Sequence, residues 1–230
     1  MSRRIVVVGT GTGVGKTHLS VALVRALAAA GHLVTGLKPI ESGVGEGITD
    51  AELLDRAGTF HVKQPPPYAL RAPISPHLAA AREGMTLRLE PVVAWVADVD
   101  TPVVAVIETA GGMLSPLGNG ITNLDLACAL DPEAVILVGV DRLGILHDMT
   151  ATLFALRSLA PRLPEPLVAL QTPSDADAST GSNARELVEL GIARRVVILP
   201  RAPADSEAVQ HVMAGVVRGL GIAPAAPRFT

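Results

Sequence analysis

Gly9-Thr10-Gly11-Thr12-Gly13-Val14-Gly15-Lys16-Thr17 decides how the chain is read, because an apolar run, Ile5-Val6-Val7-Val8, leads straight into it and a proline-free helical stretch follows over 14–30. The glycines therefore sit at a strand-to-helix turn. Glycine permits positive φ and close approach of the backbone, while the unpaired amides of a first helical turn lie at the positive end of the helix dipole. A polyphosphate matches that geometry and charge. Lys16 can reach its β and γ phosphates, and the Thr17 hydroxyl can ligate a magnesium ion bridging them. The pattern is a P-loop ending Gly-Lys-Thr, with one extra residue back to Gly9 because Thr10 stands at the usual first glycine.

Outward from the loop, apolar segments alternate with helical ones. Strands are expected over 32–37, 103–107, 134–140, 167–170 and 196–199, and helices over 121–130, after a turn over 141–147 to about 159, over 183–190 and over 205–220. Such alternation predicts an α/β fold with a mostly parallel sheet and helices on both faces. With 230 residues and 49% apolar content, a single P-loop domain over 1–230 is expected, with 221–230 a surface tail. The segment 40–47 reads as a glycine-rich loop, and 64–76 as a proline-rich stretch without regular structure. Net charge is −3 without basic runs and only 2% of residues are aromatic, so neither a phosphate-tracking face nor a base-stacking platform is visible and nucleic acid is excluded as a partner. Cys128 reads as a small core residue. With no signal peptide and no apolar run of membrane length, a cytoplasmic protein without membrane contact is expected.

Several charged residues fall at strand ends, the edge where open parallel sheets bind ligands. Lys38 and Ser42 follow the second strand beside the phosphate loop, and Lys38 reads equally as a solvated strand end or a site residue. Asp50 opens a helix, where its carboxylate either caps the first amides, the favoured local reading, or ligates a metal. Glu108 closes the strand over 103–107, where a magnesium-directed carboxylate is needed, and Gly111 and Gly112 let the chain turn past a nucleotide. Ser75 is expected to cap the helix that Pro76 starts, with His77 a polar surface group.

Together these segments resemble the dethiobiotin synthetase family. The resemblance is carried by the loop itself, by Lys38-Pro39-x-x-Ser42-Gly43, Thr49-Asp50-Ala51, Ser75-Pro76-His77 with Ala79-Ala80, Glu108-x-Ala110-Gly111-Gly112 and Leu143-Gly144-Ile145-x-His147. It implies an ATP- and magnesium-dependent ligase that carboxylates 7,8-diaminopelargonic acid with carbon dioxide and closes the ureido ring of dethiobiotin through a carbamate and its mixed phosphoric anhydride. It further implies catalytic roles for Lys16, Lys38 and Thr12, and nucleotide contacts from Gly13, Val14, Gly15, Lys16, Thr17, His18, Gln171 and Thr172. Thr12, Lys38, Ser42, Gly111 and Gly112 would meet the substrate, and Thr17, Asp50 and Glu108 the metal, in a homodimer to which the segment after Leu143 contributes from the partner subunit.

This chain departs from the family pattern in three places. Gly13 stands where an acidic residue is common, Leu146 where an asparagine precedes the histidine, and Gln171-Thr172-Pro173-Ser174-Asp175 where the base loop often begins Asn-Asp. A nucleotide-switched ATPase of the partition or septum-site type shares the loop-and-sheet plan. Its hallmark lysine near the start of the loop aligns with Gly11 here. The related amidotransferases of cobalamin synthesis carry a further glutaminase domain, for which this chain has no room.

Overall fold

A computed structural model describes residues 3–45, 47–98 and 104–222. The chain runs β1 (Arg3–Gly9), α1 (Lys16–Ala29), β2 (Val34–Leu37), β3 (Ile40–Ser42), α2 (Asp50–Ala57), β4 (Tyr68–Leu70), α3 (Pro76–Arg82) and α4 (Leu89–Ala97). It continues β5 (Val104–Glu108), β6 (Pro116–Gly118), β7 (Ile121–Thr122), α5 (Asn123–Leu130), β8 (Ala134–Val140) and α6 (Ile145–Leu159). The last elements are β9 (Leu167–Gln171), α7 (Asn183–Glu189), β10 (Val196–Leu199) and α8 (Glu207–Gly219).

Six strands form one parallel sheet in the order β10-β9-β8-β1-β5-β2. Both faces are covered, which explains why the central strands are apolar at every position rather than at alternate ones. Along β1, Ile5 and Val7 enter the core packed by α1 and α8, while Val6 and Val8 enter the core on the opposite face. Because every strand points the same way, all their carboxyl ends meet at one edge. The chain order reverses at β1, whose neighbours are β5 and β8, and a crevice opens at such a reversal. The P-loop occupies it. Register sets Glu108 opposite Val7, two residues before the loop begins.

The α/β expectation holds, and the six strands of the sheet are those anticipated, with shifted ends. Three local expectations do not hold. Ile40–Ser42 is a strand rather than loop, pairing in parallel with Tyr68–Leu70, which interrupts the proline-rich stretch. A backbone with donors free at those three positions can pair wherever tertiary packing brings a partner, whatever its flanking prolines. Ser75 makes no cap hydrogen bond to α3 and instead meets His77 Nδ1 at 2.9 Å. Cys128 is exposed rather than in the core; partial desolvation of the thiol and then the nearby Asp125 push its pKa up. Val103, and the tail from 223 on, lie outside the described residues.

Candidate active site at the P-loop

The loop between β1 and α1 keeps its shape through glycine. At Gly15 φ is 88°, a left-handed value, and a Cβ there would stand 2.6 Å from the Gln171 side chain. The packing is that tight because the Gln171 amide donates to Gly15 O at 3.1 Å. Gly15 also serves as N-cap of α1 without any side-chain cap, so the first turn of that helix is presented to the crevice.

Around the loop lies a cavity of about 630 Å³ whose walls include Thr12, Gly13, Gly15, Lys16, Thr17 and His18. Lys38, Ser42, Asp50, Glu108 and Gly111 also line it. The sequence-expected phosphate, substrate and metal residues are thus brought together, with Gly112 the exception. Its amide donates to Ser115 Oγ at 2.9 Å and the residue is buried, so of the glycine pair only Gly111 faces the cavity.

Lys38 is buried, which removes the solvated strand end as its reading. Its ammonium donates to Glu108 Oε1 at 2.8 Å and to Asp50 Oδ2, bridging the two carboxylates. Burial works against that charge, but Glu108 and Asp50 outweigh it and hold the pKa above the ordinary lysine value. Lys16 lacks such a partner, and its Nζ donates instead to Gly11 O at 3.0 Å. Burial dominates there, and the pKa is pushed down to about 8. The expected capping role of Asp50 is overturned. Thr49 caps α2, accepting from Glu52 N at 3.1 Å while Glu52 reaches back to Thr49 N at 3.2 Å, and this capping box leaves the Asp50 carboxylate free for Lys38.

The donor set fits a magnesium ion. Thr17 Oγ1 lies 2.9 Å from Glu108 Oε1, and the other oxygen of this fully buried carboxylate, Oε2, has no partner. The cavity wall holds two lysines and three carboxylates, an excess of acidic side chains that suits a cation. No group of three His, Cys, Asp or Glu side chains converges among the described residues. Magnesium needs none, since it keeps several waters and takes one or two carboxylates beside substrate phosphates.

A second cavity, about 460 Å³, adjoins the first through Gly13, Gly15 and His18. Val14, Gln171 and Thr172, the residues expected to meet a nucleotide, line it, and Arg201 and Ala202 close it. His18 spans the pocket wall, meeting Gln171 Oε1 at 3.1 Å and Ala202 O at 2.8 Å. Sequence reasoning missed Arg201, although its place just past the end of β10 was the available signal. It also missed Asn123, a buried side chain that donates to the carbonyls of Ala110 and Gly112 and so holds the 110–112 turn beneath the cavity. A third missed residue is Glu41, another wall of the first cavity. The turn after β8 carries Leu143, whose amide donates to Asp177 Oδ2 at 2.7 Å.

Residues 3–208 match a family model described as an AAA domain. An ATP-dependent dethiobiotin synthetase BioD of Xanthomonas axonopodis pv. citri is 43% identical over 161 residues, covering 65% of this chain and 70% of that protein. The BioD protein of Anaeromyxobacter dehalogenans is 38% identical over 206 residues, covering 87% and 91%. Among solved structures, the septum site-determining protein MinD with Mg-ADP from Pyrococcus horikoshii superposes with a TM-score of 0.62 over 99% of this chain at 17% identity. The MinC:MinD complex of Aquifex aeolicus gives 0.59 at 16% identity. At such identities the MinD likeness shows the P-loop fold alone and does not favour a nucleotide switch. The curated relatives are far closer in sequence and span most of both chains, and the chain belongs to the ATP-dependent dethiobiotin synthetase family.

Proposed function

We propose that this protein consumes ATP and carbon dioxide to close the ureido ring of dethiobiotin on 7,8-diaminopelargonic acid, releasing ADP and phosphate. The observation that carries the reading is the buried Lys38–Glu108 pair with Asp50, set beside the P-loop lysine in a chain of this family. One amine captures carbon dioxide as a carbamate and gives up a proton. A carbamate oxygen then attacks the γ phosphorus of ATP, breaking its bond to the bridging oxygen and expelling ADP. Attack of the second amine on the carbonyl carbon closes the ring, the nitrogen gives up a proton to water or to the departing phosphate, and phosphate leaves with the bridging carbamate oxygen.

Phosphoryl transfer of this kind requires alignment and neutralisation of charge rather than a protein nucleophile. Lys16 would follow the β and γ phosphates, while Lys38, at the cavity wall, would neutralise charge between the carbamate and the transferring phosphoryl group. Thr12 and Ser42 would hydrogen-bond the carbamate or amines, and Gly111 would offer its amide. Thr17, Asp50 and Glu108 would hold magnesium directly or through water, and the bound ion would neutralise the phosphate oxygens. His18, Gln171 and Thr172 belong to the base pocket.

A homodimer is part of the same reading. It is supported by Leu143, Phe154 and Leu159, which are 76%, 71% and 69% exposed on the turn and helix that would complete a partner's site. The chain works as one catalytic domain, and the reaction runs in the cytoplasm. No helix among the described residues is long and apolar enough to cross a membrane.

Phosphate release from Mg-ATP with bicarbonate, measured with and without the diamine while the product is weighed by mass spectrometry, tests the activity. Release that depends on the diamine, with a product heavier by one carbonyl bridge, is expected. Slow release indifferent to the diamine would sink the reading.

A further inference from the structure

Glu41 has no task in the chemistry above, yet this acidic residue is only 8% exposed at the wall of the cavity that would hold the phosphates. A buried carboxylate facing phosphates repels them, so its presence calls for compensation. Both its oxygens are engaged by one element: Oε1 accepts from Asp50 N at 2.8 Å and Oε2 from Ala51 N at 3.1 Å. These are the first two amides of α2, at the positive end of its dipole. The Thr49–Glu52 capping box starts the helix locally but takes up only the Thr49 and Glu52 amides, which leaves those of Asp50 and Ala51 to Glu41. What Glu41 adds is a long-range tie.

The two ends of that tie carry the two partners of the central ion pair. Glu41 lies on β3, three residues beyond Lys38, and β3 is pinned by its ladder with β4. The amides it holds belong to the helix that presents Asp50. Lateral placement of α2 is set elsewhere, at Gly36, where a Cβ would stand 2.7 Å from Leu54 O, so helix and strand meet backbone to backbone. Glu41 fixes the remaining freedom, the position of the helix along its own axis. The Asp50 side chain is itself 37% exposed and has no other hold on its orientation than the Lys38 ammonium.

We propose that Glu41 is a positioning residue: by gripping the N-terminus of α2 it sets where Asp50 meets Lys38, and so holds the Lys38 ammonium over the reacting groups. Its effect on turnover rests on the ligase reading, whereas its effect on the Lys38–Asp50 pair does not.

The test uses the full chain with Glu41→Ala, Glu41→Gln, Asp50→Asn and the double variant Glu41→Ala/Asp50→Asn. Amide hydrogen exchange by NMR should show Asp50 and Ala51 protected in the wild type and unprotected in Glu41→Ala, with Leu54 still protected. The side-chain ammonium signal of Lys38 should shift in the same variant. In turnover, Glu41→Ala should lower kcat about 10- to 100-fold, as a displacement of order 1 Å can, with KM for ATP within about threefold. The double variant should be no worse than the more impaired single one, because the Glu41 substitution acts through the Lys38–Asp50 contact that Asp50→Asn already weakens. A residue that only stabilised the fold would lower the melting temperature and leave kcat per ATP-binding site unchanged. Unchanged exchange at Asp50 and Ala51, an unmoved Lys38 signal, kcat within about twofold, or losses that multiply would each overturn the proposal. Should Glu41→Ala fail to fold, Glu41→Gln decides on the same readouts, since it keeps the volume and loses one acceptor. A wild type without diamine-dependent turnover would defeat the ligase reading, and the exchange and ammonium signals would then decide the positioning alone.

Discussion

Lys16→Ala is expected to reduce diamine-dependent phosphate release about 10³-fold or more, the scale on which P-loop and related cationic groups act in phosphoryl transfer. Lys16 is buried at the first residue of α1 and its Nζ reaches Gly11 O at 3.0 Å, so its charge stands inside the loop that would wrap the phosphates. No water or neighbouring side chain can replace a fixed ammonium there. Stability should move the other way. The wild-type lysine is desolvated enough to bring its pKa to about 8 and has no carboxylate within hydrogen-bond reach, so the ligand-free variant should melt no lower than the wild type. Steady-state rates and thermal unfolding without nucleotide check both parts. Turnover within tenfold of wild type would contradict the assignment of Lys16.

Lys38→Ala should lower kcat about 10²- to 10³-fold while changing ATP affinity only a few-fold, because the residue stands at the Glu108 and Asp50 end of the cavity rather than in the loop. Its stability signature is opposite to that of Lys16. Removing one partner of a buried ion pair leaves Glu108 without its counter-charge in a fully buried position, a loss of about 3–5 kcal/mol when measured without magnesium. Calorimetric ATP titration beside single-turnover rates separates binding from chemistry. Intact turnover, or an unchanged unfolding free energy, would show that Lys38 does something else. Two lysines in one cavity are thus expected to fail in distinguishable ways.

The parts of this molecule that were legible in the sequence are those fixed by local chemistry. The β-branched run Ile5-Val6-Val7-Val8, which ends at Gly9, reads as a strand buried on both faces, and the glycines after it as a tight turn into α1. Glu108 was legible because a carboxylate ends an otherwise continuous apolar strand. Residues whose roles come from distant partners were not legible. Asp50 looks like a cap from its neighbours, and it is Thr49 that caps; only the fold reveals Lys38 within its reach. The strand Tyr68–Leu70 sits among prolines and exists because Ile40–Ser42 is laid beside it. Glu41 and Asn123 act through contacts made with segments that sequence spacing does not bring together, and nothing in their immediate neighbours marks them; Arg201 carries only its place just past the end of β10 as a signal.

Whether the acceptor of the γ-phosphoryl group is a carbamate or a water molecule separates a ligase from a nucleotide switch at the level of a single oxygen atom. Carbon dioxide labelled with ¹⁸O in both positions, mixed with enzyme, diamine and Mg-ATP and quenched before the gas exchanges with solvent, would report it directly by mass spectrometry of the released phosphate. The chemistry proposed here predicts one labelled oxygen in the phosphate and the other in the ureido carbonyl of the product. Phosphate carrying solvent oxygen instead, with the diamine unchanged, would contradict the account.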